Sequence, residues 1–197
     1  MALDDFIENF GFRPPNVLIE VILYPQSAFK SVSGGPDWAE GIFDGRMRIP
    51  VGDGPTNRLE LVLKHELVHA LFSVATDGRN LPSWLDEGLA QWLSCQPNCG
   101  PYRYPVNPAD FLGEAALTTR YTSLNAANAR HAYQQSLFLI FVIENEFGDT
   151  SLRDIVSQMP KAKDFSGDSL LQVLPLSFAE LTKLAKRHWT ARTKFSE

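Results

Sequence analysis

The chain has 197 residues, 44% of them hydrophobic and 21% charged, with a formal net charge of −5. That length can bury a sizeable core as one domain over 1–197, and the composition is that of a globular chain without repeats or low-complexity tracts. The acidic balance lacks the basic footprint that nucleic acid or an anionic membrane requires, and the longest apolar run, LFLIFVI at 137–143, is too short to cross a bilayer.

The opening MALDDFIENFGF has neither a basic n-region nor an apolar h-region, so it does not read as a signal peptide. A cytoplasmic location is weakly favoured on that basis, and a place within a longer multidomain protein stays open. VLIEVILY at 17–24 is rich in β-formers between Pro15 and Pro25 and predicts a buried strand. A short helix is expected at 26–32, followed by the turn-rich SVSGGPDW. In GIFDGRMRIPV, Asp44-Gly45 separates two β-prone arms and predicts a type I′ hairpin. Pro50 cannot donate to a ladder, which places the second arm, Arg46–Val51, at a sheet edge.

A long helix is expected from Asn57, with Glu60 as its capping partner, to Asp77-Gly78. The next begins at Ser83, with Asp86 in the partner position, and carries WLDEGLAQWLS. A Pro-, Asn- and Tyr-rich connection follows over about 93–121, a length usually reserved for functional loops. It contains Cys95 and Cys99, whose lone C-x3-C spacing reads as two loop thiols before a local disulfide. A helix over 125–147 ends at Gly148, and the last helix opens with the box Ser177-Phe-Ala-Glu180. Strands first and helices after predict an α+β fold: a small N-terminal twisted sheet with an edge hairpin packed on a helix (1–76), then a mainly helical part (77–197).

Residues 65–69 read HELVH. On a helix His65 and His69 lie one turn apart on one face and can reach one ion, while Glu66, rotated by about 100°, can meet a water on that ion without ligating it. The gaps are filled by apolar Leu67 and Val68, so the histidine face is enclosed. Two histidines alone are also compatible with an ordinary amphipathic helix, so a third ligand decides the matter. Glu87, in the otherwise apolar WLDEGLAQW, has no local use, whereas Asp86 has one in the capping box. His2Glu is an established catalytic zinc set with a position left for water. Gly88 leaves room for a neighbouring backbone or for the histidine helix to come close.

HELVH, seventeen intervening residues and then the glutamate of WLDEGLA resemble the gluzincin metallopeptidases, closest to the compact bacterial peptidase-MA-like pattern HExxH followed by PxWLxEGxA. The resemblance implies a thermolysin-like core and one zinc per chain on His65, His69 and Glu87. It also implies hydrolysis of a peptide or protein substrate with Glu66 as general base. The chain lacks the Gly-Ala-Met-Glu-Asn segment of the zinc aminopeptidases, which favours an endopeptidase-like or unspecialised site. The same resemblance aligns Tyr133 of RHAYQQS with a tyrosine that stabilises the oxyanion. Tyr133 also shares a helical face with Leu137, Ile140 and Phe141, where it reads as ordinary core. His131 is the weaker rival, and Gln91 is a candidate to orient a ligand. Such enzymes bind substrate as an added strand. Arg46–Val51 is the natural edge for it, or a plain hairpin arm. Arg46 and Arg48 then either favour acidic substrates or are solvated edge charges. The alternative to catalysis is an inactive binding or scaffold module that keeps zinc for stability.

Overall fold

Among the described residues of VLIEVILY, Val21–Tyr24 form strand and 18–20 do not. In the computed structural model, which describes all residues except 1, 16–17, 37–38, 53–56, 96–106, 149 and 194–197, β1 spans Val21–Pro25 after a helix α1 at Ala2–Phe10. α2 (Gln26–Ser33), β2 (Ile42–Phe43) and β3 (Met47–Val51) follow. The sheet order is β1-β3-β2, with β1 parallel and β2 antiparallel to β3. β1 is therefore an outer strand, and the expectation of a buried one is corrected. Its residues alternate between exposed and half-buried, with Val21 45% and Leu23 53% exposed.

The same order corrects the place of Arg46–Val51, since β3 is central. The Met47 amide donates to the Glu20 carbonyl, so residues 47, 49 and 51 address β1. Pro50 faces the other side, beyond the two residues of β2 paired there, and its missing N–H costs no ladder bond. The Asp44-Gly45 turn is also different from the type I′ expectation. Gly45 has φ of 95°, but Asp44 is not in the left-handed region, and a three-residue connection 44–46 joins Phe43 to Met47.

α3 (Asn57–Ala75) lies against β3 and β2 and ends where expected, with Asp77 and Gly78 at positive φ and the Gly78 amide donating to the Ser73 carbonyl. α4 spans Ser83–Cys95. The amides of Leu85 and Asp86 donate to the Pro82 carbonyl, so the chain is already helical at Ser83 and the expected Ser83–Asp86 box is replaced. α5 (Glu114–Thr118) and short 3₁₀ turns occupy part of the long connection; its segment 96–106 lies outside the described residues. Cys95 is disulfide-bonded, which corrects the reading of two thiols; the sequence holds one other cysteine, Cys99.

α6 (Ala126–Phe147) is capped by Asn125, whose side chain accepts from the Asn128 amide, and stops at Gly148 with φ of 85°. LFLIFVI lies within it as the central core helix, and no helix among the described residues is long and apolar enough to cross a membrane. α7 (Ser151–Gln158), α8 (Gly167–Leu171) and α9 (Phe178–Thr193) close the chain. The predicted box forms reciprocally: the Ser177 amide donates to Glu180 Oε2 at 2.7 Å, and the Glu180 amide to Ser177 Oγ. α1 was not foreseen; Phe6 and Phe10, one turn apart and buried, pack on Phe72 of α3. One hydrophobic cluster runs from these rings through Trp84, Leu85 and Leu89 of α4 to Leu139, Ile140 and Ile143 of α6. The fold is α+β, a small mixed sheet followed by helices.

Candidate metal centre

Three helices meet at the centre: α3 supplies His65, Glu66 and His69, α4 supplies Asp86 and Glu87, and α6 supplies Tyr133. The approach of α4 depends on Gly88. A Cβ placed there would stand 2.7 Å from Ile140 Cγ1 and 2.9 Å from the Ser136 carbonyl oxygen. The close partner that glycine admits is thus α6 and not the histidine helix. Because Ser136 O is backbone it cannot swing aside. Gly88→Ala is expected to cost about 1–3 kcal/mol, the range of an overpacked core, read as a lower urea midpoint. An unchanged midpoint would mean that α4 and α6 separate easily.

One ligand atom from each of His65, His69 and Glu87 lies within 4.8 Å of the others, so the three can hold one metal ion. The spacing is tighter than that bound. His65 Nε2 and His69 Nε2 are 3.1 Å apart, and Glu87 Oε2 is 3.2 Å from the first and 3.4 Å from the second. Ligand atoms about 2.0–2.1 Å from an ion, arranged tetrahedrally, stand roughly 3.3 Å from one another. The triangle therefore has the size of one face of a tetrahedral site.

Asp86 sets the tautomer. Its Oδ1 lies 2.9 Å from His69 Nδ1, so Nδ1–H donates to the carboxylate and the Nε2 lone pair is turned toward the triangle. Burial works against charge on His69, but the Asp86 and Glu87 carboxylates outweigh it and hold the imidazole's proton affinity well above the ordinary value. Burial likewise opposes ionisation of Glu87; the imidazoles, His69 foremost, overcome it and keep that carboxyl well below the usual range. Glu66 is pushed upward by burial. The two imidazoles and the ionised Glu87 carboxylate are together a donor set suited to a metal ion. Loss of an outer hydrogen bond to a ligand typically costs about 10–100-fold in metal affinity. Asp86→Ala is expected to fall in that range by competition with a chelating dye, and wild-type affinity would show that Asp86 does not orient His69.

Tyr133 is at the site. Its hydroxyl donates to Glu87 Oε1 at 3.2 Å, and its ring packs edge-on against Tyr121, which is held by Ser136 Oγ at 2.7 Å. Burial and the Glu87 carboxylate push its pKa upward, so it is a neutral donor. Gln91 Nε2 donates to the carbonyls of Glu87 and Tyr133, tying α4 to α6. His131 does not line the cavity beside the centre.

That cavity has a volume of about 540 Å³. Its floor is Leu61, Val62, His65 and Glu66, one wall is Ala39–Gly41 leading into β2, and the other is the α6 face from Ala126 to Gln134. Glu66 is 5% exposed and accepts no hydrogen bond among the described residues. Gly41 lies close over it: a Cβ there would stand 2.6 Å from Glu66 Oε1. Arg46 pairs with Glu20, and Arg48 with Asp44 and the Tyr24 hydroxyl, so these two cations are spent within the sheet. The roles of Asp86, Tyr121 and Gly41 depend on residues remote in the sequence; only Asp86 stood beside a recognised ligand.

No family model matches this chain, and no curated protein matches it either.

Proposed function

We propose that the protein is a zinc-dependent peptidase of the gluzincin, peptidase-MA-like kind, with His65, His69 and Glu87 as ligands and Glu66 as general base. The observation that carries this reading is the triangle of His65 Nε2, His69 Nε2 and Glu87 Oε2 beside a buried carboxylate that faces a cavity. His65, His69 and Glu87 would hold the zinc ion, which when bound would supply the Lewis acidity that acidifies water and polarises a carbonyl. Glu66 accepts the proton of the attacking water and returns it to the leaving amine. Tyr133 donates its O–H to the oxygen that gains charge as the carbonyl carbon becomes tetrahedral.

Substrate docks as an extended strand along Ala39–Phe43, since β2 is an outer strand and the residues before it wall the cavity. This edge replaces Arg46–Val51. Gly41 lets the substrate backbone and Glu66 share that narrow space. A structural zinc in a scaffold would need a closed, four-ligand set; among the described residues the group offers three.

Elemental mass spectrometry and hydrolysis of a denatured-protein digest test the reading together. About one zinc per chain with zinc-dependent cleavage is expected; one zinc with no cleavage of any peptide favours the scaffold. Tyr133→Phe is expected to lower kcat by about 10²–10³-fold, as loss of one oxyanion donor does, with zinc content unchanged. Wild-type kcat in that variant would remove Tyr133 from the reaction.

A further inference from the structure

The charged groups around the cavity are not alike. Glu40 on one wall is bonded to Arg58, and Lys64 beside the floor pairs with Glu60 at 3.2 Å. Glu66 and His65 belong to the centre. Arg130 differs: it is an exposed side chain on the α6 wall, and among the described residues it makes no ion pair or hydrogen bond. It stands one helical turn before Tyr133 and Gln134, on the face that lines the cavity, while its neighbours Ala126 and Ala129 are too small to cover it.

We infer that Arg130 binds a carboxylate of the substrate close to the bond that is cut. The inference rests on the peptidase reading and names the substrate class of that same site. A guanidinium presents a planar fork that meets a carboxylate through two parallel hydrogen bonds, and a cleft with low-dielectric walls strengthens the attraction. Residues one turn apart on a helix are about 5–6 Å apart at Cβ, and an extended peptide advances about 3.3 Å per residue. The carboxylate therefore belongs to a residue within about two positions of the scissile bond. It is either an Asp or Glu side chain or the peptide's own C-terminus.

The probes are hexapeptide pools, labelled at the N-terminus and randomised except at one central position, which is Glu or Gln. Each pool is made as free acid and as C-terminal amide. Binding is followed by fluorescence anisotropy to zinc-loaded Glu66→Gln protein, with and without Arg130→Gln. An about tenfold preference for the acidic member of a pair is expected, the usual worth of a charge-assisted hydrogen bond, and Arg130→Gln removes it. A Glu-over-Gln preference identifies the side chain as the source; an acid-over-amide preference identifies the terminus. No preference in either pair, a preference that survives Arg130→Gln, or no binding by any pool overturns the inference. Hydrolysis by the wild-type protein is scored separately. Arg130-dependent binding without cleavage sinks the peptidase reading and leaves Arg130 only as the carboxylate site of a binding cleft, and cleavage without acid preference sinks the Arg130 site alone.

Discussion

Glu66→Gln is expected to keep its zinc and lose turnover by about 10²–10⁴-fold, the span that a general base contributes. The substitution is nearly isosteric, which matters because Gly41 leaves no space for a larger group beside Glu66 Oε1. It touches none of the three atoms of the ligand triangle, so zinc per chain and its affinity stay at wild-type values. What it removes is the ability to take a proton, at a side chain 5% exposed that lines the cavity. The drop should appear in kcat, with peptide binding retained. A variant with full turnover would show that the proton goes elsewhere; one that also lost its metal would make Glu66 part of the site's architecture and not of the chemistry.

How far the sequence carries depends on whether a feature is written in neighbouring residues. HELVH places two imidazoles on one face through helix geometry alone, and the helix ends at Asp77-Gly78, Asn125, Gly148 and Ser177–Glu180 are local capping chemistry. These features stand where the sequence puts them. The sheet is different. β1 joins β3 in parallel across α2, a pairing between segments more than twenty residues apart, and nothing in GIFDGRMRIPV says which of its arms ends up central. The edge assignment followed from Pro50, whose cost vanishes once its missing donor faces a side left unpaired. Asp86 shows the same limit at the centre. Its spacing from Ser83 fits a capping box, but the Pro82 carbonyl takes over the first turn and leaves the carboxylate for His69, 2.9 Å away on another helix. α1 was legible in principle, since Phe6 and Phe10 have helical spacing, but what holds them is Phe72 of α3.

Glu87→Ala is expected to abolish zinc binding, an effect well beyond the roughly 10–100-fold that loss of an outer partner costs. His65 and His69 come from one helix and Glu87 from another, so the ion fastens α3 to α4, and removing the carboxylate leaves two ligands with no third. Thermal unfolding reads this without any substrate. At free zinc 100 times Kd, binding to the folded state alone adds about 2.7 kcal/mol, which for a chain of this size raises Tm by about 5–10 °C. The wild-type protein should show that rise, and Glu87→Ala none. Comparing each protein with and without zinc cancels whatever the substitution does to the fold itself, including the loss of the acceptor that Glu87 Oε1 offers the Tyr133 hydroxyl. Asp86→Ala should still reach the full rise, at a higher zinc concentration. If Glu87→Ala kept the rise and Asp86→Ala lost it, the ligand would be Asp86, and Glu87 would be left as the partner that anchors Tyr133.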